Sequence, residues 1–345
     1  MSLADRWHHA ILRNSLDLMR YEAGVRTEIL SMLDGLGRDL VKELAGAGLD
    51  TPRTDWQRAR MRDLLNATQT QVGDAYGTIA DHHAASMADI IDTNTGSLVL
   101  ALNEAAGAEL IQGIKWTGNQ LKALVDGSLV EGAPSRDWWA RQGADLQNAF
   151  TDQMRQGMVR GEGVGELSRR VKDLMGTSTR NAEALVRTSA LAANNAAQLA
   201  TYKENADVIG RLQWTSTLDP RTCTRCGAQD GQAWAIGEPH AVPPLHWSCR
   251  CVCVPITKSW AELAKKNKAL AAEMDKMEPG VRSSMGGYVS GDTTWESWLK
   301  GLPVADQQEI LGPARQKLWE AGKLTITDLV DQRGNALTLG QLAGK

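Results

Sequence analysis

The spacing of apolar residues predicts long helices over the first part of the chain. The positions that recur at helical spacing include Leu30, Leu33, Leu40, Val41 and Leu44. A second helix is predicted to start after Leu49, where Thr51 or Thr54 can serve as its N-cap. Residues 1 to about 150 are therefore predicted to be helical. Segments of this kind are more typical of a bundle or an interaction surface than of a catalytic pocket.

A glycine-rich connector is predicted after this region, followed by a helix with one basic face. Gly161, Gly163 and Gly165 alternate, which fits neither of the glycine motifs that bind nucleotides. The apolar face of the following helix consists of Val164, Leu167, Val171 and Leu174. The opposite face carries Arg169, Arg170 and Lys172. The pattern indicates a flexible turn that leads into an amphipathic helix.

Another helix is predicted to start near Arg180, with two rows of residues along it. A narrow row of mostly small residues suits close packing and comprises Leu185, Ser189, Ala192, Ala196 and Leu199. The opposite row comprises Arg187, Leu191, Asn194, Gln198 and Thr201. This second row is more polar than packing requires. Two interpretations stay open: an exposed face, or a surface that holds a neighbouring loop or a partner.

The period then changes from that of a helix to that of a strand. RLQWTSTLDPRTC places Leu212 and Trp214 on one side of a short strand, before an Asp-Pro turn. In CRCVCVPI, one face comprises Cys249, Cys251 and Cys253, and the other Arg250, Val252 and Val254. Short strands are therefore predicted on both sides of the intervening loop. The tail from residue 296 onwards predicts two or three further helices.

These patterns predict an α+β, predominantly α-helical chain with three consecutive regions. Residues 1–150 form an N-terminal helical region. Residues 151–258 form a helix plus short antiparallel strands stapled by a zinc knuckle, and residues 259–345 form a small helical C-terminal region.

Composition changes this picture in two ways. No apolar stretch of about 18 residues and no signal-peptide core is found in the sequence, so synthesis in the cytosol without a membrane partner is expected. The net charge of -3 provides no overall basic field, so any nucleic-acid contact must use a local patch.

Four of the five cysteines fall between Cys223 and Cys251, in a pattern typical of a metal site. Cys223 and Cys226 form a C-x-x-C pair, and His246 and Cys249 form an H-x-x-C pair after an intervening loop of nineteen residues. In a reducing compartment, clustered cysteines more often bind metal than form disulfides. Structural zinc takes four such ligands from two short pairs. We therefore predict these four as zinc ligands, with Cys251 in reserve and a four-cysteine set containing it left open.

Other chemistries of this cluster stay open from the sequence alone. A catalytic zinc keeps one position for water and has a general base nearby, as in H-E-x-x-H, and the sequence contains no such motif. Four ligands favour a closed, structural site over a catalytic one. A metal-free thiol cluster or a disulfide is the remaining alternative. Cys253 is predicted to pack as a small apolar side chain.

Four motifs occur in a fixed order between residues 150 and 256: GMVRGEGV, LVRTSALAANNAA, WTSTLDPRTCTRCGAQDG and PPLHWSCRC. In this combination they resemble the phage Mu F-like head morphogenesis family, the minor head proteins of tailed phages. Besides the candidate metal ligands, the positions that match the motifs of this family are Arg187, Thr188, Asn194, Asp219, Arg221, Thr222, Asp230, Gly231 and Arg250. The family usually has Glu after Arg-Thr, whereas this chain has Ser189, so an acidic role there is in doubt.

The resemblance implies a head protein present in few copies. The closed ligand set, with no recognisable catalytic constellation, predicts a non-enzymatic assembly protein whose N-terminal helical region, residues 1–150, docks to the portal or head shell. Its implied partners are the portal protein and a major capsid or scaffold protein, and its implied location is the portal vertex or capsid interior of the virion after assembly in the host cytoplasm. Contact with packaged double-stranded DNA is a further expectation. Met154 to Arg187 contains seven basic and four acidic residues, a net charge of +3. The candidate DNA contacts are Arg169, Arg170 and Lys172.

An enzyme is the alternative function that the sequence leaves open. A zinc-dependent nuclease or an effector-type enzyme would use His240 or His246 near the metal, with Asp219 or Asp230 as a carboxylate ligand. The Glu-x-Glu motif of an ADP-ribosylating toxin does not occur downstream.

Overall fold

A computed structural model describes residues 3–49, 55–258, 281–290, 293–331 and 335–342. Helices account for 67% of the structure, which confirms the prediction of a predominantly α-helical chain. The predicted caps Thr51 and Thr54 lie outside the described residues. No helix in the described ranges has the length and apolar character needed to cross a membrane.

The first half of the chain consists of long helices, as the apolar spacing predicts. They are α1 (Leu3–Gly46), α2 (Asp55–Ala106), the short α3 (Gly118–Gly127), α4 (Ser135–Arg160) and α5 (Val164–Glu204). Helix α3 begins with a capping box between Thr117 and Gln120. Helix α4 ends at Gly161, whose φ of 70° is left-handed and favours glycine. The glycine-rich connector is therefore present between α4 and α5.

The two helices predicted after this connector are one continuous helix, so the predicted start near Arg180 is wrong. Helix α5 runs through Gly176 and the Thr-rich segment after it. A glycine inside a helix costs only about 1 kcal/mol, which tertiary packing can offset. The hydroxyl of Thr179 donates within the helix to the Met175 carbonyl at 2.9 Å. Met175 also packs against Gly37 of α1, where an added Cβ would lie 3.1 Å from its Cγ.

A small antiparallel sheet follows α5, as predicted. Its strands are β1 (Ile209–Thr215), β2 (Ala233–Ala235) and β3 (Val252–Thr257), in the order β2-β1-β3. Leu212 is opposite Trp234 in one pair, and Trp214 is opposite Cys253 in the other. A six-residue helix, α6 (Thr224–Gln229), lies between β1 and β2 and carries part of the cysteine cluster.

The C-terminal region is not purely helical, which corrects the prediction for it. A hairpin of β4 (Val281–Ser284) and β5 (Gly287–Ser290) precedes the helices. Strands of four residues carry too few positions for the sequence period to distinguish them from loops. The helices are α7 (Trp295–Lys300), α8 (Val304–Leu311), α9 (Pro313–Glu320) and α10 (Leu339–Leu342), with a 3₁₀ turn at Thr327–Leu329.

The chain divides into two compact units, each assembled from separate segments. The first unit comprises Met1–Leu18, Ile91–Trp116 and Asn194–Lys345, and contains the sheet and the cysteine cluster. The second unit comprises Met19–Ile90 and Thr117–Ala193 and is helical. The predicted boundaries at residues 150 and 258 describe consecutive regions of the sequence, and they stay a prediction.

Each unit has buried contacts that join distant segments. In the first, the Asn205 side chain accepts from the Gln112 amide at 2.7 Å and donates to its carbonyl at 2.9 Å. In the second, Gly143 lets α4 approach Tyr76 of α2, since an added Cβ would lie 3.1 Å from the Tyr76 Cβ. These contacts hold together segments that are distant in sequence within each unit.

Candidate metal centre

The first pair of candidate ligands lies at the start of α6. Cys223 is the N-cap of this helix, and its Sγ accepts a hydrogen bond from the Cys226 amide at 3.5 Å. The Gly227 amide donates to the Cys223 carbonyl at 2.9 Å. Cys226 is buried, whereas Cys223 is partly exposed. This turn brings the sulfurs of residues three apart to one side, as a C-x-x-C metal knuckle requires.

The second pair lies on a turn that ends just before β3. The Cys249 amide donates to the His246 carbonyl at 3.2 Å, and Ser248 in this turn has a left-handed φ of 58°. His246 Nδ1 lies 2.8 Å from the carbonyl oxygen of Trp247. We assign the Nδ1 proton to this hydrogen bond, which leaves Nε2 as the donor atom for a ligand.

Two hydrogen bonds hold the second turn in place. The Arg225 guanidinium, on α6, donates to the carbonyl of Leu245 at 2.7 Å. The side-chain amide of Asn195, on α5, donates to the Pro243 carbonyl at 3.0 Å. The loop that carries His246 is therefore attached to both neighbouring helices.

These turns bring all four predicted ligands into one cluster. His246 Nε2 lies 3.3 Å from Cys223 Sγ and 3.2 Å from Cys226 Sγ. Cys226 Sγ lies 3.8 Å from Cys249 Sγ. Cys223, Cys226 and His246 form one group of donor atoms that lie within 4.8 Å of one another. Such a donor set can hold a metal ion.

The reserve ligand belongs to an overlapping group. Cys226, Cys249 and Cys251 also have sulfurs within 4.8 Å of one another, so Cys226 is common to both groups. The Cys251 thiol donates to the Ser216 hydroxyl at 3.4 Å and is 2% exposed. Cys253 is 1% exposed and belongs to neither group, and burial raises the pKa of its thiol to about 12.

Hydrogen bonds within the cluster lower the pKa of some of its members and raise the pKa of others. The hydrogen bond from the Cys226 thiol lowers the pKa of Cys223 to about 4. A hydrogen bond from Cys226 also lowers the pKa of Cys249, and the two contacts raise the pKa of Cys226 itself. The hydrogen bond to Cys223 raises the pKa of His246 to about 10. Without metal, these shifts favour thiolates at Cys223 and Cys249, a neutral thiol at Cys226 and a positively charged imidazole at His246.

The D-P-R-T turn before Cys223 is held by an ion pair. Both terminal nitrogens of Arg250 donate to the Asp219 carboxylate, with Nη2 2.8 Å from Oδ1. The Arg221 amide donates to the same carboxylate at 2.9 Å, although the Arg221 side chain is largely exposed. Burial alone would raise the pKa of Asp219, but the Arg250 contacts hold it below its ordinary value. The Thr222 hydroxyl closes the turn by donating to the Thr217 carbonyl at 2.5 Å.

The D-G motif after α6 links three segments of the chain. Asp230 Oδ1 accepts from the Ser216 amide and Oδ2 from the Trp295 amide, both at 2.7 Å. Gly231 has a φ of 80°, and its amide donates to the Trp214 carbonyl at 3.0 Å. Both carboxylates proposed for the enzyme alternative, Asp219 and Asp230, are thus engaged away from the cluster. Among the described residues, neither candidate metal group contains a carboxylate.

The Arg-Thr motif on α5 does not lie in the cluster. Arg187 is exposed, and the Thr188 hydroxyl donates to the Ala184 carbonyl of its own helix at 2.6 Å. Ser189, at the position where the family usually has Glu, lies 2.8 Å from His83 Nε2 of α2. Burial lowers the pKa of His83 to about 3, so this pair is neutral. Ser189 therefore takes part in a buried neutral hydrogen bond.

Asn194 and most of its row are buried. Of the row whose environment was left open, Leu191, Asn194, Gln198 and Thr201 are all at most 8% exposed, and only Arg187 is exposed. The interpretation of this row as an exposed face is therefore wrong for four of its five members.

The three candidate DNA contacts differ in their surroundings. Arg170 donates to both oxygens of the Glu162 carboxylate, at 2.6 and 2.5 Å. Arg169 is exposed, at 3.7 Å from Glu166, and Lys172 is also exposed. The charge of Arg170 is thus balanced within the protein, whereas the other two side chains face solvent.

Several residues that hold the site were not singled out by the sequence patterns. Asn195 and Arg225 hold its loops through side-chain hydrogen bonds, and Ser216 does so through both its amide and its hydroxyl. Gly227 and Trp295 are in direct contact, since an added Cβ at Gly227 would lie 2.4 Å from the indole ring. The partners of the first three in these hydrogen bonds lie 10 to 48 residues away along the chain, and Gly227 and Trp295 lie further apart still, so local spacing carries no signal for these contacts.

Part of the chain is similar to a known protein. The chain is 28% identical over 136 residues to an uncharacterized protein of Haemophilus influenzae, a match that covers 39% of this chain and 29% of that protein. The match thus spans less than a third of that relative. No solved structure matches the chain.

Residues 148–254 match the family described as Phage Mu protein F like protein. The matched range contains the glycine-rich connector, α5, β1, α6 and all candidate metal ligands. It coincides closely with the range over which the motifs show their resemblance. The predicted resemblance is therefore confirmed, and residues 148–254 of this chain are a Phage Mu F-like region.

Proposed function

We propose that the cysteine–histidine cluster is a structural zinc centre in a non-enzymatic minor head protein of a tailed phage. The zinc ligands in this proposal are Cys223, Cys226, His246 and Cys249. The geometry of the cluster supports the metal assignment, and the Mu F-like match supports a role in head morphogenesis. The observation that carries the proposal is the convergence of two ligand pairs inside the matched region.

Three donor separations in the cluster are close to those of tetrahedral zinc. With Zn–S bonds of ~2.3 Å and Zn–N bonds of ~2.05 Å, two sulfurs lie ~3.8 Å apart and a sulfur and a nitrogen ~3.6 Å apart. The Cys226–Cys249 separation is 3.8 Å. The two sulfur–nitrogen separations of His246 are 3.3 and 3.2 Å. Cys249 shares a group with Cys226 but not with Cys223 and His246, so an ion bound by all four residues would draw these side chains closer together.

The ligand set supports a structural role over a catalytic one. Three thiolates and one imidazole complete four-coordinate zinc and leave no position for water. The imidazole is also fixed in orientation by its Nδ1 contact with the Trp247 carbonyl. Asp219 and Asp230, the carboxylates that a nuclease would use, are held by Arg250 and by backbone amides. Zinc would here supply folding free energy to a loop-rich region.

The head assignment follows from the family match. We place the protein at the portal vertex or in the capsid interior, with the portal protein and a major capsid or scaffold protein as partners. The zinc-stapled first unit presents a fixed surface, and the helical second unit offers long exposed helix faces for docking. Direct contact with packaged DNA would use Arg169 and Lys172, because Arg170 is already paired with Glu162.

Head incorporation tests this assignment. Heads assembled from the encoding phage or prophage genome would be purified, and the chain would be quantified by mass spectrometry against the portal and major capsid proteins. We expect a few copies per head and loss of incorporation when Cys226→Ala removes a zinc ligand, with Cys253→Ala as the matched buried control. Assembled, DNA-filled heads that lack the chain would contradict the head assignment.

The DNA contact has its own test. The affinity of the full chain for duplex DNA would be measured over a range of salt concentrations. We expect log K to fall linearly with log salt, and Arg169→Gln with Lys172→Gln to reduce the slope by ~2. Lys122→Gln, at an exposed lysine of α3, is the control. A flat salt response in the wild-type chain would remove the DNA proposal and leave the head assignment untouched.

A further inference from the structure

We infer that metal binding at the cluster controls the docking of the C-terminal helices, residues 293–331, onto α6 and its flanking turns within the first unit. The inference rests on the zinc binding proposed above. It assigns the metal centre a second role, as the device that holds the end of the chain in place.

The contact between the two regions is direct and tight. Gly227 follows the ligand Cys226 in α6, and the indole of Trp295 lies against its backbone. An added Cβ at Gly227 would lie 2.4, 2.6 and 2.7 Å from three atoms of that ring. Real Cβ atoms do not approach other atoms so closely, so only glycine fits here. Trp295 is 0% exposed, so the whole indole is enclosed by this contact and its neighbours.

A carboxylate adds a polar link at the same place. Asp230, directly after α6, accepts from the Trp295 amide at 2.7 Å through one oxygen. Its other oxygen accepts from the Ser216 amide at 2.7 Å. The Ser216 hydroxyl in turn donates to the Cys226 carbonyl at 2.9 Å. The start of α7 is thus connected to the backbone of a metal ligand through a short chain of hydrogen bonds.

The apolar core of the C-terminal helices is completed by residues from the metal-binding region. Leu218 and Ala228 belong to the same buried cluster as Trp295, Trp298, Leu299, Leu311 and Trp319. These two residues lie on either side of the C-x-x-C pair. The C-terminal segment from residue 293 to 342 is about 50 residues long, a size at which a core on its own is marginal. It therefore depends on the surface that α6 and its flanking turns provide.

Helix α6 itself depends on the cluster. It has six residues, far fewer than the ~12 that an isolated helix needs to be stable in water. Its N-cap is the ligand Cys223, and its third residue is the ligand Cys226. A bound ion would fix both, and removal of the ion would free the helix that supports Trp295. Since coupling is reciprocal, docking of Trp295 must also strengthen metal binding by the same factor.

Hydrogen exchange of the full chain tests the inference. The protein would be prepared with zinc and after chelation, the metal content of each sample measured, and deuterium uptake followed by mass spectrometry. We expect ~5- to 150-fold faster exchange in peptides from residues 293–331 after chelation, the usual range for coupling between two sites. Peptides from α4 should be unchanged.

A matched pair of glycine substitutions separates docking from metal binding. Gly227→Ala should loosen residues 293–331 while the protein still binds about one zinc, with affinity lowered by a similar factor in a chelator competition. Gly165→Ala, where an added Cβ meets nothing within 4 Å, should change neither quantity.

The outcomes distinguish failure of the inference from failure of the zinc proposal. If the protein holds one zinc and its removal leaves exchange in residues 293–331 unchanged, the docking inference is wrong and the zinc centre stands. If freshly reduced protein binds no zinc, the zinc proposal fails and the inference fails with it. The chelation arm uses the wild-type chain, so the test does not depend on folding of a variant.

Discussion

Replacement of Cys226 by alanine should remove the metal, whereas replacement of Cys253 by alanine should not. Cys226 and Cys253 are each 1% exposed and lie in the same unit, but only Cys226 belongs to the ligand cluster. Changing either to Ala deletes one buried sulfur, which costs about 1 kcal/mol through lost packing. The two variants are therefore matched in side-chain size and burial, and they differ in the contacts of Cys226 with the other candidate ligands and in metal binding.

The additional cost at Cys226 comes from linkage between binding and folding. An ion that binds only the folded state contributes about 4 kcal/mol when its free concentration is 1,000 times the dissociation constant. Cys226→Ala should lose most of that contribution, a large part of the ~5–15 kcal/mol stability of an ordinary domain. Cys253→Ala should lose only the packing term.

Metal content and local stability provide the assay. Zinc would be measured by elemental analysis, and unfolding of residues 209–258 followed by hydrogen exchange in denaturant. We expect about one zinc per chain in the wild type and Cys253→Ala, and none in Cys226→Ala. Chelation should lower the wild type to the level of Cys226→Ala and leave Cys226→Ala unchanged. Equal losses in both variants, with zinc retained in both, would refute the reasoning.

Three further predictions follow from the same site. His246→Ala should lose zinc while Cys251→Ala keeps it, by elemental analysis; the reverse result would establish the four-cysteine set. Asp219→Asn should destabilise the region by about 1–3 kcal/mol at neutral pH, since it leaves Arg250 partly buried and unpaired. Because the pKa of Asp219 is depressed in the folded state, its charge contributes above its unfolded pKa, and the difference from wild type should shrink as pH falls through the folded value. An unchanged difference at low pH would contradict this. Zinc binding at neutral pH should release about two protons, one thiol and one imidazolium proton, as the shifted pKa values require. Calorimetry in buffers of different ionisation enthalpy measures this, and release of about three would indicate ligands that titrate as in an unfolded chain.

The grouping of the candidate ligands could be predicted because the signal of each pair is local. Cys223 and Cys226 are three residues apart, as are His246 and Cys249, and each pair occupies one tight turn. Zinc chemistry then joins the two pairs without any knowledge of the intervening loop. The choice between His246 and Cys251 could not be made in this way. Cys251 shares a group with Cys226 and Cys249, and its thiol already donates a hydrogen bond to the Ser216 hydroxyl.

The supporting contacts could not be predicted, because they join distant positions. Trp295 meets Asp230 across 65 residues, and Asn195 meets Pro243 across 48. Nothing in the sequence near Gly227 indicates that an indole lies against its backbone. The β4–β5 hairpin was likewise missed, because its strands have only four residues each.

The long helices show where propensity and packing disagree. The segment after Met175 predicts a break, but α5 continues through it. The cost of one glycine is small against the packing that a continuous helix gains, including the contact of Met175 with Gly37. Element type was therefore predictable from the apolar period, whereas the helix start near Arg180 was not.

X-ray absorption at the zinc edge tests the central claim most directly. The account predicts about one zinc per chain, with a first shell of three sulfurs at ~2.3 Å and one nitrogen at ~2.05 Å. A shell rich in oxygen would contradict a closed structural site, and a shell of four sulfurs would contradict His246 as a ligand. Absence of zinc from reduced, freshly prepared protein would contradict the metal centre itself.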